Sequence, residues 1–227
     1  MSAREWGEEI WEKKIKTQGA VGVIHGSIVS EEFLNNGVNA FFKMFKKEFF
    51  PILKKKSRVL DAGVGPLASY SKGLSRLGYS VTGVDISETT LKLAERNAKN
   101  NNINMSFIKD DLTVLDNIKG KFDLVFCYDT FGHIPSYLSL ETMRAFNRVL
   151  ERDGYCMVHF WIEGKKTFRQ IFWDFAYWTG HLIKRKFKKV FPVNCSKYTD
   201  DEIKDMINKS GFKYVKSING VYLMQKQ

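Results

Sequence analysis

Two glycines and three carboxylates stand where strand-like runs of the sequence end, and these residues are well suited to hold a ligand. Asp61, Gly63 and Gly65 lie in the stretch LDAGVGPLAS, which follows the strand-like run SRVLDA. Glycines between a strand and a helix let a ligand approach the backbone, where the first N–H groups of the helix are free. Asp85 ends the run YSVTGVDI, and Asp111 follows the run MSFIKD. The pattern therefore predicts a ligand site at the ends of three strands.

The carboxylates distinguish between two classes of nucleotide ligand. In a dinucleotide site the turn binds a pyrophosphate, which Asp61 would repel, whereas the same carboxylate attracts an amine. Asp85 lies 20 residues after Gly65, where it could accept both hydroxyls of a ribose. Asp111 could accept a hydrogen bond from the exocyclic amine of adenine. A ligand with an amine, a ribose and an adenine fits best; a nicotinamide-dependent oxidoreductase and an ordinary structural turn are the alternatives.

A second group of reactive side chains follows the next strand-like run, FDLVFCY. His133 is the preferred general base, because an imidazole can take up a proton near neutral pH. A histidine that only orders its loop is the alternative. Asp129 is a second candidate, as a base or as an anchor for a substrate amine. Tyr128, His159 and Trp11 are predicted to line the substrate pocket.

Strands and helices alternate from residue 57 onward, which predicts a mostly parallel α/β sheet with helices on both faces and ligands at the carboxyl ends of the strands. We expect a single domain over 1–227. Its parts are a helical N-terminal extension (1–56), a cofactor-binding core (57–163), a helical substrate-cap insertion (164–198), and a last helix with a closing pair of strands (199–227).

The charge of the chain is concentrated in one segment. The net charge is +11, and residues 165–192 hold eight Lys or Arg against one acid. A buried hairpin, a lid over the acceptor and peripheral contact with an anionic membrane are three interpretations of this segment. The same charge keeps a nucleic-acid substrate as a less favoured alternative.

Cysteine content and hydropathy indicate the compartment. Three cysteines without C-x-x-C spacing predict neither a disulfide framework nor a metal site. The sequence has no signal peptide and no run of 18 apolar residues, so we expect a cytoplasmic protein, with contact at the inner membrane face as an open alternative. The oligomeric state is not predicted.

The runs VLDAGVGPLAS, VTGVDIS, FIKDDL and FDLVFCYDTFGHI together resemble the class I S-adenosylmethionine-dependent methyltransferases, and specifically their small-molecule branch. The resemblance covers residues 57–163, and YTDDEIKDMINKSGFKYVKS is similar to the last helix and strand of that fold. It implies a Rossmann-like sheet of seven strands with the last strand antiparallel. It also implies that S-adenosylmethionine is the cofactor. The methionine part would lie at Asp61, Gly63 and Gly65, with the amino-acid end near the backbone of Cys127. The ribose would lie at Asp85, and the adenine at Ile86, Asp111 and Leu112.

Two positions depart from the family pattern. Leu67 stands at the usual third glycine, and Asp110 replaces a glycine after the third strand. Neither change removes a charged contact with the cofactor. We therefore expect both to affect the affinity for the cofactor more than the identity of the cofactor.

The resemblance implies methyl transfer to an oxygen or nitrogen of a small-molecule, sugar or lipid-linked acceptor. The Asn-Pro-Pro-Tyr run of enzymes that methylate adenine or glutamine nitrogen is missing after the fourth strand, as is a Pro-Cys nucleophile. An RNA methyltransferase and a non-catalytic cofactor-binding relative are the alternatives.

Overall fold

A computed structural model describes residues 8–17, 31–53, 57–162 and 196–227. The insertion predicted for 164–198 lies outside the described residues except for its last three positions. Trp6 also lies outside them.

A sheet of seven strands forms the centre of the described structure. The strands are β1 (Arg58–Ala62), β2 (Ser80–Asp85), β3 (Ser106–Lys109), β4 (Phe122–Cys127), β5 (Leu150–His159), β6 (Phe212–Ile218) and β7 (Val221–Lys226). Their order across the sheet is β3-β2-β1-β4-β5-β7-β6, and β7 pairs antiparallel with both β5 and β6. The pairs among β1 to β5 are parallel. The predicted seven-stranded, mostly parallel sheet with its last strand antiparallel is confirmed.

Six helices accompany the sheet in the described residues. They are α1 (8–17), α2 (Glu31–Glu48), α3 (Ser69–Arg76), α4 (Glu88–Asn100), α5 (Ser139–Val149) and α6 (Asp200–Lys209). None of the described helices is both long enough and apolar enough to cross a membrane.

The central strands are buried because helices cover both of their faces. Alternate residues of β4 divide between two apolar clusters: Val125 packs with residues of α5 and α6, whereas Phe126 packs with residues of α2 and α3. Phe41 and Phe45 of α2 extend the second cluster, and both are buried. This division explains why β4 is apolar at consecutive positions, as strands with two covered faces are.

Two element boundaries differ from the sequence pattern. Helix α2 begins at Glu31, earlier than the apolar run that starts at Val38. Helix α5 ends at Val149, and Leu150 already pairs with Phe122 in the sheet, although the sequence favours helix up to Gly154. The strand pairing that buries Leu150 outweighs local helix propensity there.

Side-chain caps begin two helices, and a tight turn joins the last two strands. The Ser87 hydroxyl accepts the Thr90 N–H at the start of α4. Thr199 and Glu202 form a reciprocal capping box at the start of α6. Asn219 and Gly220 have φ of 50° and 79°, which fits a tight hairpin between β6 and β7.

Candidate cofactor and active site

The glycine turn after β1 has the conformation that its sequence indicates. Gly63 and Gly65 have φ of +84° and +64°, values that other residues rarely adopt. A Cβ at Gly63 would overlap the side chain of Thr130, so this glycine lets the loop after β4 pack on the turn. A Cβ at Gly65 would meet no atom within 4 Å. The turn therefore presents bare backbone to an open space.

Asp85, at the end of β2, lies beside this turn. Its Oδ2 accepts the Gly65 N–H at 3.3 Å, and its Oδ1 accepts the Ser87 N–H at 3.0 Å. Burial raises the pKa of Asp85 to about 6; the N–H donors oppose the shift and the nearby Glu12 carboxylate adds to it. The carboxylate and the turn thus form one cradle.

Asp61 is buried next to the same turn. Its carboxylate accepts the Ser71 hydroxyl at 2.5 Å, from the first turn of α3. Burial raises the pKa of Asp61 to about 7, against the effect of that hydrogen bond, and the charge of Asp85 adds to the shift. A cationic ligand group beside Asp61 would favour its ionised form.

The carboxylates after β3 have separate structural partners. Asp111 Oδ1 accepts the backbone N–H and the hydroxyl of Thr113, both at 2.9 Å. Asp110, one of the two departures from the family pattern, accepts the backbone N–H groups of Asp111 at 2.8 Å and Asn117 at 2.7 Å. Asp110 therefore orders the loop that carries Asp111.

The remaining predicted cofactor residues differ in accessibility. Ile86, which follows Asp85 at the end of β2, is half-buried. Leu112 is nearly buried and belongs to the α5–α6 side of the core. The Cys127 side chain is fully buried in that core, and burial raises the pKa of its thiol well above the usual range. The Cys127 side chain is therefore not available to a ligand.

Helix α1 lies along the carboxyl edge of the sheet. Glu12 accepts the Ser87 hydroxyl at 2.9 Å, the Thr89 N–H at 3.0 Å and the Thr89 hydroxyl at 2.5 Å. Glu8 pairs with Lys109, at the end of β3, at 2.5 Å. Burial alone would raise the pKa of Glu12, but the hydrogen bonds from α4 bring it below its usual value. A carboxylate at the N-terminus of α4 also matches the positive end of the helix dipole.

His133 lies between two indoles. The Trp11 and Trp161 ring centroids are 5.1 Å and 5.0 Å from the imidazole, both in edge-to-face geometry. Its Nδ1 is buried and has no hydrogen-bond partner among the described residues. Burial lowers the pKa of His133 to about 4, Lys14 adds to this shift, and Asp129 opposes it. The imidazole is therefore neutral near pH 7.

Asp129 and His159 form a pair where β4 and β5 end. The Asp129 Oδ1 and His159 Nδ1 are 2.8 Å apart. The His159 ring stacks on Tyr128 with a centroid distance of 4.4 Å and an angle of 15°. The ring centroid of Tyr70, in α3, lies 4.6 Å from that of Tyr128. Burial, then the charge of Asp129, raises the pKa of Tyr128 to about 12.

Comparisons with known proteins agree with this geometry. Residues 59–154 match the family model of a methyltransferase domain. Magnesium protoporphyrin IX methyltransferase from Synechocystis PCC 6803, solved with bound S-adenosylhomocysteine, shares the fold at a TM-score of 0.66 and 18% identity, over 97% of this chain and 100% of that one. Residues 59–154 thus match a methyltransferase domain, and the fold is one that S-adenosylmethionine-dependent methyltransferases share. The recognition made from the four sequence runs is confirmed.

Two curated relatives have higher identity to this methyltransferase over shorter stretches. One is a Methanocaldococcus jannaschii protein that is provisionally named a protein N5-glutamine methyltransferase. It is 33% identical over 135 residues, which is 58% of each chain. The ubiquinone biosynthesis O-methyltransferase of Coxiella burnetii is 32% identical over 84 residues, 37% of this chain and 36% of that one. The chain thus spans little more than half of the first relative and about a third of the second.

The Synechocystis neighbour has also been solved with bound S-adenosylmethionine, at a TM-score of 0.65 and 16% identity. The residues of this chain fit S-adenosylmethionine, because an open space above Gly65 is bounded by a carboxylate suited to ribose hydroxyls and by a second one suited to an amine.

Sequence reasoning missed several residues of the methyltransferase site. Glu12 is next to Trp11 in the sequence, but nothing in the local pattern indicates that it reaches α4. Tyr70 follows the glycine turn and Trp161 follows His159 by two positions, so their proximity in the sequence to predicted site residues was a usable signal. Ser71 carried no such signal.

Proposed function

We propose that this methyltransferase moves the methyl group of S-adenosylmethionine to an oxygen or nitrogen of a small-molecule acceptor. The observation that carries the proposal is the hydrogen bond from the Gly65 N–H to Asp85, which joins the β2 carboxylate and the open glycine turn in one cradle. The family membership of residues 59–154 supports it.

In this proposal each predicted cofactor residue has a role that its surroundings allow. Asp61 holds the ammonium group of the methionine part beside the backbone of Gly63 and Gly65. Asp85 accepts the ribose hydroxyls. The adenine lies against Ile86 and Leu112, with Asp111 at its edge; the Cys127 backbone lies near the amino-acid end.

Bound S-adenosylmethionine supplies a methyl group that is electrophilic because its sulfur carries a positive charge. The protein then has to hold the acceptor about 3 Å from the methyl carbon, in line with the breaking bond, and to exclude water. We propose that His133 and Asp129 lie on the acceptor side of the site, where a polar side chain takes the acceptor proton or anchors an acceptor amine. His133 is neutral near pH 7, but its lowered pKa makes it a weak base.

The walls around these residues favour a flat or apolar acceptor. Trp11 and Trp161 flank His133, while Tyr128 stacks on His159 nearby. Aromatic walls with a few polar groups are typical of small-molecule pockets. The Cys-Tyr-Asp-Thr run after β4 lacks the Asn-Pro-Pro-Tyr pattern, which argues against a glutamine acceptor of the kind that the M. jannaschii relative's name suggests.

A lipid-linked acceptor is the form of this proposal that involves a membrane. The eight basic residues of 165–192 would attract anionic headgroups, each by about 1 kcal/mol. Sedimentation with vesicles containing anionic lipid tests this, compared with a variant in which the basic residues of KRKFKK are neutralised. We expect the unaltered chain to sediment and the variant to stay in solution. Equal behaviour of the two would retire the membrane proposal.

Methyl transfer from labelled S-adenosylmethionine tests the function itself. The acceptor panel contains catechols, phenols, hydroxylated isoprenoid quinone precursors and primary amines. We expect label in one class of product, and none when Asp85→Ala replaces the wild type. Tight binding of NADH together with no binding of S-adenosylhomocysteine would contradict the proposal.

A further inference from the structure

We infer that His159, held by Asp129, is the group that takes the proton from the acceptor. The inference rests on the proposed function and names a further catalytic residue for it. It starts from the hydrogen bond of 2.8 Å between His159 Nδ1 and Asp129 Oδ1, two residues on adjacent strand ends.

Asp129 is held in a conformation that its neighbours determine. It has a φ of +55°, which is unfavourable for a residue with a side chain by about 1 kcal/mol. The next residue, Thr130, donates its hydroxyl to the carbonyl oxygens of Gly63 at 3.1 Å and Tyr128 at 3.2 Å, which fixes the loop to the glycine turn. A strained residue kept in place by these contacts indicates a function for its side chain.

The same contacts fix the orientation of the His159 ring. The ring is stacked on Tyr128, and its side chain is 18% exposed. Because a carboxylate can only accept from the neutral ring, Nδ1 carries the hydrogen and Nε2 carries the lone pair. No described residue forms a hydrogen bond with Nε2. Gly220 of the β6–β7 turn lies beside this edge of the ring, where a Cβ would stand 3.3 Å from Nε2, so the glycine avoids a side chain that would crowd Nε2.

His133 lacks these features. Its Nδ1 is buried without a partner in the described structure, and its two ring contacts are indole edges and not carboxylates. The charge of Asp129 acts on His133 without a hydrogen bond between them, whereas protonated His159 would form an ion pair with Asp129 at 2.8 Å. Of the two histidines, His159 has the surroundings of a proton acceptor.

The step balances as follows. A lone pair of the acceptor oxygen or nitrogen forms a bond to the methyl carbon, and the carbon–sulfur bond breaks with its electrons staying on sulfur. The acceptor proton moves to His159 Nε2. The resulting imidazolium is stabilised by Asp129 and later releases its proton to water. Asp129 acts through His159 and is a positioning residue.

Nitrogen-detected NMR of the imidazole groups tests the inference without any acceptor. With S-adenosylhomocysteine bound, we expect His159 at about pH 7.5 to carry its hydrogen on Nδ1. Asp129→Asn, which tolerates the positive φ, places an amide donor at the same position and should shift the hydrogen to Nε2. A wild-type His159 with its hydrogen on Nε2, or a tautomer that Asp129→Asn does not change, would overturn the inference.

Kinetics on an acceptor from the panel provide the second arm. His159→Ala should lower kcat by about 10²- to 10⁴-fold and leave the affinity for S-adenosylhomocysteine within about twofold, and added imidazole should restore part of the rate. With a phenol acceptor, the rate of this variant should rise with pH until the phenol itself ionises. His133→Gln is the matched comparison. A different outcome would overturn the inference: His133→Ala loses most of the rate and added imidazole restores part of it, while His159→Ala keeps a rate near that of the wild type.

The two arms separate failure of this inference from failure of the proposed function. A wild-type protein that neither binds S-adenosylhomocysteine nor methylates any acceptor contradicts the function. If the wild-type protein binds S-adenosylhomocysteine but methylates none of the panel, the tautomer of His159 decides. A hydrogen on Nδ1 that Asp129→Asn shifts to Nε2 supports the inference, and either of the other two tautomer results overturns it.

Discussion

The affinity for S-adenosylhomocysteine should depend on pH through Asp61. Burial raises the pKa of this carboxyl to about 7 in the cofactor-free protein, so it is mostly neutral at lower pH. An ammonium group beside it requires the ionised form. Affinity is therefore lost as pH falls through the raised pKa and recovered as pH rises above it.

The magnitude follows from the fraction of Asp61 that is ionised before binding. With a pKa of about 7, about one molecule in eleven is ionised at about pH 6 and about three in four at about pH 7.5. The apparent Kd should be about eightfold weaker at the lower pH. Binding should release about 0.9 proton per cofactor at about pH 6 and about 0.25 at about pH 7.5.

Isothermal titration calorimetry in pairs of buffers with different ionisation heats measures both quantities. Asp61→Asn is the control, because it keeps an acceptor for the Ser71 hydroxyl but cannot ionise. At about pH 7.5 it should bind S-adenosylhomocysteine about 10- to 100-fold more weakly than the wild type, because one charged hydrogen bond is lost. Its affinity should depend little on pH. Equal proton release by wild type and Asp61→Asn would refute the reasoning.

Four further substitutions test the cradle and the helix that covers it. Asp85→Ala should weaken S-adenosylhomocysteine binding about 100-fold or more, since two hydrogen bonds to a charged acceptor are lost, as measured by calorimetry. Gly65→Ala should lower the free energy of unfolding by only about 1–2 kcal/mol, the cost of its positive φ, yet reduce affinity more than about tenfold. Gly63→Ala should be the less stable of the two in urea unfolding, because its Cβ would also overlap Thr130; equal stability would contradict the packing described. Glu12→Gln should speed cofactor dissociation several-fold in stopped-flow fluorescence, because it removes the charged acceptor at the α4 N-terminus; an unchanged rate would show that α1 does not restrain the cofactor.

The mostly parallel sheet and the glycine turn could be predicted from the sequence because their signals are local. Alternating strands and helices allow few topologies, and Gly63 and Gly65 stand where only positive φ closes the turn. The Ser87 and Thr199 caps follow from side-chain type alone. The end of α5 was misplaced because the pairing of Leu150 with Phe122 is a tertiary contact.

The site was only partly predictable for the same reason. Carboxylates at strand ends can be located by counting, so the positions of Asp61 and Asp85 were indicated. The hydrogen bond between Asp129 and His159 joins residues 30 positions apart, and the contacts of Glu12 with α4 span more than 70 positions. Neither has a sequence pattern of its own, so both required the folded structure.

Calorimetric titration of the wild-type protein with S-adenosylhomocysteine, with NADH as the parallel ligand, tests the central claim most directly. The account predicts saturable binding of S-adenosylhomocysteine at one site, abolished by Asp85→Ala, and no comparable binding of NADH. An absence of binding heat with S-adenosylhomocysteine over a range of temperatures, or an Asp85→Ala variant with wild-type affinity, would contradict it.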